Sequence, residues 1–95
     1  MKILAIEKDI PGVSWDNEVS LLKQEARHVF DLYLAGTLRE IYFTENKNAV
    51  LVLESKDTSE AEKLLESFPL VKSGNIKFDL MELRPYHGYE RLMKL

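Results

Sequence analysis

The chain has 95 residues, of which 45% are hydrophobic, and its 13 Lys and Arg against 16 Asp and Glu leave a formal charge of −3. That is enough chain for one domain and one core, too apolar for a disordered protein and with no length for a second core. The lack of cysteine excludes a disulfide scaffold, a thiolate metal site and a cysteine nucleophile.

No run of about 18 apolar residues is available to span a bilayer, and the opening MKILAIEKDIPG lacks the apolar core of a signal peptide. Charges of both signs are interspersed, so no basic patch for a phosphate backbone stands out. A soluble cytoplasmic protein is expected, with no membrane and no nucleic acid among its partners.

In chain order, residues 2–8 are apolar and partly β-branched, which suits a buried strand. Pro11 and Gly12 mark a turn, Ser14 is placed to cap a helix, and Asp16 and Glu18 suit its positive end. Over residues 16–35, Val19, Leu22, Ala26, Val29, Phe30 and Tyr33 recur at spacings of three and four, the stripe of a helix with its core face on that side. Gly36 stands where a C-terminal cap glycine belongs.

Residues 38–45 and 49–55 are rich in β-formers around a polar turn, the pattern of a hairpin. A second helix starts near Asp57, which has capping-box spacing to Glu60, carries the stripe Ala61, Leu64, Leu65 and Phe68, and stops at Pro69. Residues 76–83 form the last strand, and the tail PYHGYERLMKL has no clear period. The order βαββαβ over a single domain of residues 1–95 predicts a ferredoxin-like α+β fold: a four-stranded antiparallel sheet with two helices on one face.

Side-chain alternation then assigns faces. The more apolar sets, Leu4 with Ile6 and Ile76 with Phe78 and Leu80, are expected under the helices. Ile3, Ala5, Glu7, Met81 and Leu83 are left for the open face. Such a face is too apolar for water, so two copies are expected to press together and enclose a barrel-like interior, a dimeric α+β barrel or a larger homo-oligomer. The alternative is a monomer with a loosely amphipathic sheet.

The stretches FPLVKSGNIKFDLMELRPY, MKILAIEKDIPG, YLAGTLREIYF and AVLVLES together resemble the muconolactone isomerase-like proteins and their YCII-related cousins, of the dimeric α+β barrel superfamily. The likeness spans nearly the whole chain and rests on apolar pattern and turn spacing. It implies dimerisation and a ligand site in each half-barrel near the dimer interface. In muconolactone isomerase, C-terminal segments help close sites across subunits. The YCII-related branch carries a His–Asp pair. His28 matches its histidine, but Arg39 and Glu40 stand where the aspartate would be sought.

Four residues are candidates for chemistry. Glu7 shares a face with Ile3 and Ala5, and a carboxylate among apolar walls can shuttle a proton; it also reads as a strand-end charge. Arg39 could clamp a substrate carboxylate and Tyr42 could donate to an oxyanion, or they are a surface ion pair and a packing aromatic. Three apart on a strand, they face opposite ways unless a bulge intervenes. His87 lies with Tyr86, Tyr89 and Arg91 in a tail that could fold over a cavity, its own or a partner's, and Trp15 could form another wall.

His28 falls opposite the main helical stripe, between Leu21 and Leu32, which reads as a surface or assembly contact. Two isolated histidines without ligand spacing give no metal site, and no phosphate loop or nucleophile elbow is present. The expectation is a cofactor-free cavity that binds a small organic acid or lactone. An isomerase-type proton transfer there has Glu7 as base and Arg39 as clamp. The alternative is a non-catalytic oligomeric module with a side-chain-filled barrel.

Overall fold

Residues 1–12 and 19–93 are described by the computed structural model, so the expected cap at Ser14, the charges Asp16 and Glu18, and the wall at Trp15 lie outside the described residues. The strands are β1 (Lys2–Asp9), β2 (Leu38–Phe43), β3 (Ala49–Glu54) and β4 (Ile76–Leu83). They form one antiparallel sheet in the order β2-β3-β1-β4. With the helices α1 (Val19–Leu34) and α2 (Thr58–Glu66), this is the βαββαβ ferredoxin-like arrangement. Among the described residues no helix is long and apolar enough to cross a membrane.

Local chemistry sets the element ends. α1 closes in a Schellman turn: Gly36 adopts φ 81°, its N–H reaches Tyr33 and that of Thr37 reaches Leu32, both at 3.1 Å. α2 opens on Asp57, whose carboxylate accepts the N–H of Glu60 at 2.8 Å. Pro69 does end α2, as expected. It also opens a further helical turn, α3 (Pro69–Lys72), because proline holds Phe68 extended and itself fits a first helical position.

The assignment of faces on β1 is reversed. Ile3, Ala5 and Glu7 are buried under the helices, and Leu4 and Ile6 look to the open side. The cause is register: Ala5 pairs with Leu80 and Glu7 with Phe78, which ties β1 to the helix-facing set of β4. Ala5 joins Leu51, Leu53, Ala61, Leu65 and Phe68 in the core. The open face carries Leu4, Ile6, Val50 and Met81, still apolar although made of different residues from those expected on β1.

β2 contains a bulge. Leu38 pairs with Leu53 and Glu40 with the next residue along, Val52, so Arg39 has no opposite number. Leu38 and Ile41, three apart, therefore share the helix side with Phe43, while Tyr42 takes the open side opposite Val50.

Beyond β4 the chain runs off the body. Residues 84–93 are almost wholly exposed and end in a short 3-10 turn (Gly88–Leu92). The radius of gyration, 15.9 Å, exceeds the roughly 13 Å of a compact domain of about 100 residues.

Candidate functional site

α1 does not lie flat on the sheet. Its half-buried residues are Leu21, Glu25, His28, Val29 and Leu32, and none is fully buried. The helix is rotated from the expected setting, so that His28 turns inward and Leu22, Ala26, Phe30 and Tyr33 are left exposed. Those exposed residues border a cleft of about 590 Å³ between α1 and the β2–β3 side of the sheet. The stripe that reads as core in the sequence is thus the wall of a cavity.

The opposite wall is Leu38, Ile41, Phe43, Ala49 and Leu51. Phe68, Leu70 and Phe78 close the far end. The Phe68 ring meets Phe78 edge-on at 5.6 Å and His28 at 4.9 Å, so one buried aromatic joins the cleft to the place where α1 meets the α2–α3 junction.

Two carboxylates interrupt this apolar lining. Glu7 is 7% exposed. Its Oε1 accepts the N–H of Ala49 at 3.1 Å, and Asn48 Nδ2 stands 3.5 Å from Oε2 and 3.4 Å from Asp9. Glu25, from α1, accepts the N–H of Leu70 at 3.0 Å through Oε1. Burial holds the Glu25 carboxyl above the ordinary glutamate range; the Leu70 bond opposes this, and the negative charge of Glu7 adds to it. Lys47, in the left-handed region at φ 64° on the hairpin turn, is exposed at the mouth.

Of the four expected site residues, only Glu7 lines this cleft, and it does so from the helix side, not from the open sheet face where the sequence placed it. Arg39 and Tyr42 lie outside it. Tyr42 is 60% exposed and donates to Glu40 at 2.9 Å, a bond that raises its phenol above the usual tyrosine value. His87 is exposed at the start of the tail's 3-10 turn, away from the cleft. Beside it Tyr86 packs edge-on against Tyr89 at 4.8 Å, and the Tyr86 ring occupies the space a side chain at position 88 would need.

His28 is a tie between helices. Its Nε2 lies 3.0 Å from Ser67 Oγ, and Ser67 gives its own hydroxyl proton to Leu64, so the imidazole donates. Burial lowers its pKa and Lys72 lowers it further, against a smaller opposite effect of Asp31. No aspartate among the described residues bonds it, so the YCII-like dyad does not form among them. Among the described residues no group of three or more His, Asp or Glu side chains is placed to hold a metal ion.

Glu25 is the site residue that sequence reasoning missed. Its signal is a glutamate three residues after Leu22 and four before Val29, the spacing that sets it beside both on the helix surface.

No protein-family model matches the chain, and no curated protein matches it in sequence. Among solved structures, the fold is similar to that of a 5-chloro-2-hydroxyhydroquinone dehydrochlorinase from Burkholderia phenoliruptrix AC1100 in complex with 2,5-dihydroxybenzoquinone. The TM-score is 0.69 at 18% identity, over 95% of this chain and 98% of that one. At that identity the likeness establishes a shared ferredoxin-like α+β fold.

Proposed function

We propose that this chain binds a small, mainly apolar organic molecule in the cleft between α1 and the sheet, and moves a proton on it with Glu7 as the base. One observation carries the reading: a carboxylate only 7% exposed stands at the floor of a 590 Å³ cleft whose walls are otherwise almost wholly apolar. Ala49 orients one carboxylate oxygen, and the other, with only a long contact to Asn48, is free to meet a substrate C–H or O–H. The dehydrochlorinase of similar fold, an enzyme in complex with a small ring compound, lends support. The resemblance to muconolactone isomerase-like proteins suggests a lactone or small organic acid as substrate and an isomerase-type reaction. Arg39 has no part in it, since it does not reach the cleft.

The reading includes a homo-oligomer. The open sheet face with Leu4, Ile6, Val50 and Met81 is an association surface, and the projecting tail with Tyr86, Tyr89 and Leu92 can reach a neighbouring copy.

The test is isotope exchange. In D2O, the protein should speed exchange of the acidic C–H of an unsaturated five-membered lactone, followed by NMR, and Glu7→Gln should abolish this with an unchanged circular dichroism spectrum. Full exchange in the variant removes Glu7 from the mechanism. Binding without exchange in the wild type would make the cleft a ligand-holding site without chemistry, and no binding at all would favour the alternative of a non-catalytic oligomeric module.

A further inference from the structure

Resting on that reading of the cleft, and narrowing its substrate class to exclude free organic acids and lactones in their keto form, we infer that its occupant is an uncharged ring bearing a hydroxyl donor, a phenol or an enol (the enol form of a lactone included), and that Glu25 together with Glu7 receives it. The two carboxylates come from different elements, α1 and β1, and converge on one cavity. Each has one oxygen committed to a main-chain N–H, of Leu70 and of Ala49. The second oxygen of Glu25 accepts no bond from the described residues, and that of Glu7 has only the 3.5 Å contact with Asn48. Every deep polar group of the cleft is therefore an acceptor. The polar tips of Tyr33 and Lys47 are exposed at the mouth, where water screens them.

This arrangement discriminates among ligand classes. A carboxylate entering the cleft would lose its water and meet like charge with no arginine at depth. A ring without a donor would strip water from Glu25 and return nothing. An ammonium would lose far more hydration than a hydroxyl on entering so apolar a cleft. A hydroxyl donates to a carboxylate in a short charge-assisted bond while its ring covers Phe68, Phe78 and Val29.

The experiment is a titration of the full chain with four probes of similar size (phenol, benzoate, benzylammonium and toluene), followed by calorimetry or by chemical shifts of the cleft residues. Phenol should bind about tenfold more tightly than toluene or benzoate, the span of one charge-assisted hydrogen bond. Glu25→Leu should erase most of the advantage over toluene. Glu25→Gln, which keeps an acceptor for Leu70, should narrow the gap between phenol and benzoate. If benzoate or benzylammonium matches or exceeds phenol, or phenol is no better than toluene, the ligand class is wrong while the cleft stands as a binding site. If none of the four binds, the cleft reading falls with it.

Discussion

The paired ladder between β1 and β3 ends at Ile6 and Val50, and the next N–H outward, that of Ala49, is taken by the side chain of Glu7 at 3.1 Å. A carboxylate thus occupies a place where a strand carbonyl would ordinarily accept, and it satisfies a buried main-chain donor. The bond fixes one oxygen and directs the remainder of the group toward the cleft.

Stability should follow from that bond. Glu7→Gln keeps an acceptor for Ala49 and should shift the urea-unfolding free energy by no more than about 1 kcal/mol. Glu7→Ala leaves the donor unpaired and should cost about 1–3 kcal/mol. Equal losses in the two variants would show that the bond does not hold the strand end.

How far the sequence could be read is clearest on β1 and α1. Element order, strand limits and the Asp57 cap were legible because each rests on residues close in the chain. Which face of β1 turns to the helices was not. Leu4 and Ile6 are more apolar than Ala5 and Glu7, and only the pairing with Leu80 and Phe78, more than 70 residues away, decides the matter. The α1 stripe misled for a related reason: periodicity reports an apolar face, and a cleft wall and a core have the same one. Glu7 could be singled out, but its partners Ala49 and Asn48 and its counterpart Glu25 are tertiary facts.

His28 should make the fold sensitive to acid. Its folded-state pKa lies below the ordinary histidine value of 6.5, so the unfolded chain takes up the proton first. Stability from this site is present above pH about 6.5 and is lost as the pH falls below it. The melting temperature of wild type should drop more steeply between pH 7.5 and 5.5 than that of His28→Gln, measured by circular dichroism. Parallel curves would rule the histidine out as the cause.

Glu25 acts with the opposite sign. Its folded-state pKa is raised above 4.5, so the native chain binds the proton more tightly than the unfolded one. The resulting stability is present at low pH and is lost as the pH rises through the raised value. Glu25→Gln should gain on wild type in melting temperature as the pH climbs from about 4.5 toward neutrality, then run level with a constant lead. A lead that does not change with pH would contradict this.

The open face makes a prediction about assembly. Met81, 47% exposed, stands beside Leu4 in the middle of that face. Wild type should sediment well above the 11.0 kDa of one chain, and Met81→Lys should shift it toward the monomer with its helix content intact. A wild type that stays at 11.0 kDa at high concentration would refute the association surface.

The unmatched Arg39 carries a consequence for redesign. β2 is an outer strand with a single neighbour, and its side-chain phase is set by where one surplus residue is stored. Stored at position 39, it presents Ile41 and Phe43 to the cleft; moved into the 44–48 connection, the strand would slide by one and present Glu40 and Tyr42 instead. The lining of the cavity could thus be switched from greasy to hydroxylated and acidic by relocating a single backbone unit, without substituting any of residues 40–43.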